Sequence, residues 1–337
     1  MLLNFYLILT LTIIQSDSSN LNWTQHNRVT DAHLRGLSVV NDEVVWASGT
    51  KGTIIKTIDG GKKWSVFAIP DCAELDFRDI YAFDDQNAVV LSAGEIAKFY
   101  RTSDGGTSWK LVYENTSKGI FFDGMDFRNE KEGIAYSDPI DGKWVLVKTS
   151  DGGKSWKKMD TSTLPEMLKG EAGYAASGTG LVYQDDHIWI TGGSSEKARV
   201  FHSEDNGVTW SVSDTPLQNG EGKGVFSMVF MDENNGIVVG GSYVDSENKT
   251  GNCAITSDGG QTWQLIETNQ PAGYRSCVAA HLDTNLLISV GRNGADYSRD
   301  LGKTWTFIGS DAYYTCKFGQ SKLWATGKGG KIGSISF

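Results

Sequence analysis

Gly49-Thr-Lys-Gly52-Thr-Ile-Ile-Lys56-Thr57-Ile-Asp59-Gly-Gly61-Lys-Lys-Trp64 decides the fold, because its second half recurs five more times in one phase. The copies of Thr/Ser-x-Asp-x-Gly-x-x-Trp are Thr57–Trp64, Thr102–Trp109, Thr149–Trp156, Ser203–Trp210, Thr256–Trp263 and Ser298–Trp305. Successive Trp residues lie 45, 47, 54, 53 and 42 positions apart. A period of this size marks a repeat architecture. The motif reads as a tight turn between antiparallel strands. Asp-Gly and Gly-Gly supply the positive φ that a hairpin needs. The Asp carboxylate accepts hydrogen bonds from turn amides and from the Ser/Thr hydroxyl. The Trp opens the next strand and anchors the turn to the core. Repetition therefore gives Asp59, Asp104, Asp151, Asp205, Asp258 and Asp300 a structural role rather than a catalytic one.

Short alternating runs precede each turn, as in Val44–Ser48, Ala88–Ser92 and Gly236–Gly240. Each period then holds about four strands, and four-stranded units repeated radially make a β-propeller. The last segment, Leu323-Trp-Ala-Thr-Gly327, mirrors Val45-Trp-Ala-Ser-Gly49 but stops before its turn. Leu21-Asn-Trp23-Thr-Gln25 resembles a Trp strand that has lost its turn. The expected fold is all-β: a seven-bladed propeller in one domain over residues 20–337, its last blade closed by strands from both ends of the chain. The blades fall at about 34–69, 75–114, 119–160, 173–214, 222–267, 273–309, and 310–337 with 20–26. Closure hides sheet edges that would otherwise pair with other chains.

Composition narrows the function. Forty-one acidic against 31 basic residues give a net charge of −10, which argues against a sequence-independent grip on nucleic acid. Residues 1–19 read as a signal peptide, with an apolar run from Phe5 to Ile14, no Lys or Arg before it, and cleavage expected within Gln15–Asn20. That run is too short to span a bilayer, so a secreted or periplasmic, monomeric protein without a membrane span is expected. Cys72, Cys253, Cys277 and Cys316 form no C-x-x-C pair, and His26, His33, His187, His202 and His281 form no H-E-x-x-H motif, so no metal and no cofactor are called for. Buried thiols and disulfides both remain open for the cysteines, with a cross-blade bond between Cys277 and Cys316 possible. Asn22, Asn115 and Asn248 head glycosylation sequons, which matter only in a eukaryotic secretory pathway. Thr326-Gly-Lys-Gly-Gly330-Lys-Ile-Gly333 superficially follows a dinucleotide loop, but lacks the helix and the distal acid.

The turns resemble the Asp-boxes of the bacterial neuraminidase repeat (BNR) superfamily, over residues 21–337. The fuller pattern Gly-x-x-Gly-x-Ile-x-x-Thr-x-Asp-Gly-Gly-x-x-Trp, clearest at Gly49–Trp64, is similar to the photosystem II stability/assembly factor-like propellers. That resemblance implies a seven-bladed, exported, non-catalytic propeller that binds a protein or peptide. Many exported proteins of non-photosynthetic bacteria share the repeat.

Propeller sites usually sit at one mouth of the central channel, opposite the Asp-containing turns. Alignment of the inner strands puts Arg35, Arg78 and Arg275 at one equivalent position in blades 1, 2 and 6. Three guanidinium groups at one mouth of an acidic protein point to a carboxylate ligand or peptide end. Asp79, Asp123, Glu171, Glu221, Tyr274 and Arg292 are expected at the same mouth, with Glu95 on an adjoining loop. The bland alternative pairs each Arg with a nearby acid, such as Asp79 or Asp31, as a solvated rim. Sialidases also hold a carboxylate with three Arg, so a BNR-type glycoside hydrolase acting on a glycan is the enzyme alternative. Against it, Phe77-Arg78-Asp79-Ile80 departs from the Phe/Tyr-Arg-Ile/Leu-Pro motif of sialidases, and seven blades are expected where sialidases have six. A pure scaffold is the third reading.

Overall fold

The computed structural model describes residues 21–193 and 196–337, so the signal-peptide reading of 1–19 lies outside the described residues. Seven four-stranded antiparallel sheets make up the described chain. In blade 1 the strands run Leu34–Val39, Val45–Gly49, Thr53–Thr57 and Ser65–Ala68, from the channel outward. The last blade takes Thr315–Phe318, Lys322–Thr326 and Ile332–Ser336 from one end of the chain and Thr24–Gln25 from the other. Thr24 pairs with Ser334 and Gln25 with Gly333, which closes the ring. Trp23 stands one residue before this short strand and packs on Tyr313, ring centroids 4.3 Å apart. Among the described residues no helix is long and apolar enough to cross a membrane.

The turn chemistry repeats down to its atoms. At the first turn, the Thr57 hydroxyl donates to Asp59 (2.9 Å) and accepts from the Gly61 amide (2.9 Å), while the Lys63 amide donates to Asp59 (2.9 Å). The same bonds recur around Asp104, Asp151, Asp205, Asp258 and Asp300. Hydroxyl and amide donation from Thr209 and Thr262 holds the Asp205 and Asp258 carboxyls down at about 2. Asn206 (φ 62°) and Leu301 (φ 60°) adopt the left-handed backbone where the other copies have Gly; for Leu this is strained.

The core lies between blades. Trp46, Trp144, Trp189 and Trp324 are fully buried. The cluster around Trp46 joins Ile54 of blade 1 to Phe77, Ile80 and Val90 of blade 2. Side-chain acceptors on inner strands also tie four of the blades to the next. The Ser38 hydroxyl accepts from the Ala82 amide (2.9 Å), Asp79 from Met125 (2.8 Å), Asp126 from Tyr183 (2.9 Å) and Ser227 from Val278 (2.9 Å).

One segment breaks the symmetry. The fourth inner strand is confined to Leu181–Gln184, and the residues before it cross the channel. The Ser177 hydroxyl donates to the Ser276 carbonyl of blade 6 (2.8 Å) and its own carbonyl accepts from Thr315 of blade 7 (3.2 Å). On the far side Gly178 lies against Asp79 of blade 2 so closely that a Cβ would collide with the carboxylate. Gly178 also has φ 75°, so both sterics and backbone demand glycine. The Ala-Ala-Ser-Gly-Thr run thus forms a septum that divides the channel into an upper pocket and a lower cavity.

Candidate functional site

Four inner strands carry a one-residue bulge near their upper end, and the bulged residue is turned toward the channel mouth. Leu34 pairs with Gly49 and Gly36 with Ser48, which leaves Arg35 between them. The same irregularity singles out Arg78, Asp123 and Phe226. Bulges re-aim side chains in this way. Arg35, Arg78 and Phe226 line the upper pocket with Ser276, Tyr314, Tyr174, Tyr243, Tyr274 and Arg292 around a volume of about 370 Å³, with Ala175 and Ala176 of the septum at its base.

Arg275 is not the partner of Arg35 and Arg78. Its amide donates to Gly240 of the preceding blade (3.0 Å), the bond that the Leu34 amide makes to Gly327 (3.1 Å). Arg275 therefore occupies the place of Leu34, and Ser276 that of Arg35. Side chains alternate faces along a strand, so a one-residue slip turns Arg275 from the mouth into the core. It is 0% exposed and ion-paired with Asp296, with Nε 2.6 Å from Oδ2.

The expected acids are placed elsewhere too. Glu171 is buried in an ion pair with Arg199. Asp79 lies below the septum, where it accepts from the Ile80 (2.8 Å) and Met125 (2.8 Å) amides. Burial pushes its carboxyl up to about 8, against the pull of the Met125 amide and the Lys317 ammonium. Asp123 shares the bulge position with the arginines but is 1% exposed, because Gly173 at the start of the septum lies directly on its carboxylate. Burial, reinforced by Asp138, raises its pKa well above the carboxylate range. Glu221 and Glu95 are exposed and do not line the pocket. Among the described residues the upper pocket accordingly has no carboxylate in its lining, whereas ordinary glycosidase chemistry uses a pair.

Two of the three arginines read as a cluster do meet. Arg78 donates from Nε to Asp76 (2.7 Å) and from Nη1 to the Ala175 carbonyl (3.1 Å). Arg35 lies over the Tyr314 ring, 4.1 Å from its centroid, with no carboxylate within ion-pair distance among the described residues. Burial, and then the charge of Arg78, lower its pKa. Asp31, offered as a rim partner, binds Lys51 instead (2.6 Å). Arg292 stands exposed at the rim, donating to the Tyr243 carbonyl (2.9 Å).

The opposite wall is aromatic. Tyr174 stacks on Phe226 (centroids 3.8 Å apart), and Phe226 meets Tyr274 edge-on at 4.8 Å. Tyr243 and the exposed Val244 stand on a loop between the strands Gly236–Ser242 and Cys253–Thr256. The reading from sequence missed Tyr174, Phe226 and Tyr243 as site residues. A signal existed: the Trp-to-Trp steps of 54 and 53 exceed the others, and those extra residues hold the septum and the Tyr243 loop.

No family model matches the chain. In sequence it is 22% identical over 232 residues to the photosystem II assembly lipoprotein Ycf48 of Synechococcus sp. strain CC9902, a match covering 68% of the chain and 61% of that protein. It is 27% identical to the Nostoc sp. strain PCC 7120 protein of the same name, over 56% of the chain and 50% of the relative. The chain thus spans half to about three-fifths of the length of these curated relatives. Among solved structures, one described as YCF48 bound to D1 peptide superposes with TM-score 0.67, 16% identity, and coverage of 95% of this chain and 96% of the other. YCF48 from Cyanidioschyzon merolae gives 0.65 at 16% identity, covering 93% and 98%. Virginiamycin B lyase from Staphylococcus aureus also gives 0.67, at 12% identity over 94% and 99%, which is a likeness of fold alone. The chain is a seven-bladed β-propeller similar in sequence and in fold to the photosystem II assembly protein Ycf48.

Proposed function

We propose that this propeller is a non-catalytic, assembly-factor-like binding protein whose upper pocket receives a peptide segment of a partner protein through a carboxylate. The observation that carries the reading is Arg35: a half-buried guanidinium beside a second one, with an aromatic ring beneath it and no ion pair of its own, the nearby Asp76 being bonded to Arg78. Two guanidinium groups that share one carboxylate leave a surplus of positive charge, which is costly when buried unless a ligand neutralises it. The forked donors of Arg35 and Arg78 suit a carboxylate, and the Tyr174–Phe226 wall suits an apolar side chain beside it. The relatives are named for assembly, and one propeller of this fold is described with a peptide bound, which supports a peptide ligand here. The leader-like residues 1–19 and the lipoprotein names of the relatives support a place outside the cytoplasm.

An array of peptides, each presented once with its carboxylates free and once with all of them converted to amides, tests the reading. Capture of free-acid peptides with loss of at least about tenfold in affinity on amidation is expected. Equal capture of acid and amide forms, or unchanged capture by Arg35→Ala/Arg78→Ala, would overturn it.

A further inference from the structure

Below the septum, at the joint between blade 6 and the closing blade, the strand Cys277–His281 faces Thr315–Phe318 of its neighbour. Each of the other inner-strand joints described above is tied by a hydroxyl or a carboxylate. Here the acceptor is a thiol: the Cys316 amide lies 3.4 Å from Cys277 Sγ, and the Cys316 sulfur only 3.9 Å from it. The hydroxyls of Thr179 (3.7 Å) and Thr315 (3.8 Å) also point at Cys277 Sγ. Against the cost of burial, these donors draw the Cys277 thiol down to about 6. Cys316, Thr179 and Thr315 form part of the wall of the lower cavity, of about 290 Å³; Cys277 lies behind them in contact with all three, so a small oxidant in that cavity is one side chain away from its sulfur. The other cysteines have no such neighbour. Cys72 donates to the Tyr100 hydroxyl (3.2 Å), and burial pushes the Cys253 thiol up.

We infer that Cys277 and Cys316 are a dithiol–disulfide couple that staples blade 6 to the closing blade. The chemistry balances with a peroxide as oxidant. The Cys277 thiolate attacks one peroxide oxygen, the O–O bond breaks, and a sulfenic acid and one water form. The Cys316 sulfur then displaces the sulfenic oxygen as a second water, giving the S–S bond. In sum, two thiols and one hydrogen peroxide give one disulfide and two waters. The sulfurs must close from 3.9 Å to about 2 Å, a movement shared by two neighbouring strands. The blade so locked is the one assembled from both ends of the chain, where opening of the ring would begin. This inference is independent of what the upper pocket binds.

The test uses the reduced full chain treated with hydrogen peroxide, then unfolded, alkylated and mapped by mass without reductant. A linked pair of peptides holding Cys277 and Cys316 is expected, with Cys72 and Cys253 alkylated. The thermal midpoint should rise by about 5 °C and fall back with dithiothreitol. Alkylation of all four cysteines after oxidation would overturn the couple, and a linkage that leaves the midpoint unchanged would overturn the staple. In Cys316→Ser, Cys277 should be trapped as the sulfenic acid by dimedone with no rise in midpoint. An oxidation-dependent rise in that variant would also overturn the inference.

Discussion

The upper pocket and the lower cavity belong to one channel and one set of strands, yet they treat buried ionisable groups in opposite ways. Below the septum, Asp79 and Asp126 each receive an amide of the next blade, from Met125 and from Tyr183, with the Lys317 ammonium acting on both. Above it, Arg35 rests on an aromatic ring beside another arginine. Buried polar groups that are fully hydrogen-bonded hold structure together. A half-buried charge left without an ion pair of its own is instead prepared for something that arrives. The septum keeps the two regimes apart by covering Asp123, the one carboxylate at the bulge position that could have neutralised the arginines directly.

The hardest way to break this contrast is at Arg275, assigned here to architecture. Arg275→Ala strands Asp296 in the core and should cost about 3–5 kcal/mol in urea unfolding, while the folded fraction keeps its peptide affinity. Arg275→Met with Asp296→Leu removes both charges and should recover most of the loss. Lost affinity at full stability would return Arg275 to the binding site.

A smaller effect sharpens the lower half. Asp79 carries a folded pKa of about 8 against an ordinary 3.8. Across that window the folded chain holds a proton that the unfolded chain has released. This contribution to stability is complete below the lower value, declines as pH rises, and is gone above the upper one. Asp79→Asn should flatten that slope and cost about 1–3 kcal/mol, because one of the two amide donors then faces an amide nitrogen. Denaturant midpoints from pH 4 to 9 check both. An unchanged slope would mean that Asp79 does not hold its proton in the folded state.

The smallest effect concerns the regular face of the ring. Leu301→Gly relieves a left-handed residue at a turn where other copies have Gly and should raise stability by about 1 kcal/mol, with no change in binding. A loss of stability would show that the Leu301 side chain contributes more than its backbone strain costs.

The repeat made the ring legible, because each Thr/Ser-x-Asp-x-Gly-x-x-Trp copy carries its own hydrogen-bonding logic and needs no partner from elsewhere in the chain. Closure was legible for the same reason, since Leu323–Gly327 copies Val45–Gly49. The mouth was only half legible. Arg35 and Arg78 sit in matching local sequence, whereas Arg275 looks equivalent until the pairing register is known, and period-two alternation turns one residue of error into the wrong face. Asp123 and Glu171 were misplaced for another reason: their surroundings come from the septum and from Arg199, contacts remote in sequence that no local pattern announces. The aromatic wall lay in the two blades whose length departs from the repeat, which is where a repeat protein stores what its scaffold does not need.

The most direct measurement is the affinity of Arg35→Ala for a free-carboxylate peptide selected by the parent chain, taken beside its unfolding midpoint. Binding at least about tenfold weaker is expected, with the midpoint unchanged or raised, because the substitution removes a desolvated charge that no ion pair of its own neutralises. Unchanged affinity with a lowered midpoint would contradict it and make Arg35 one more part of the architecture.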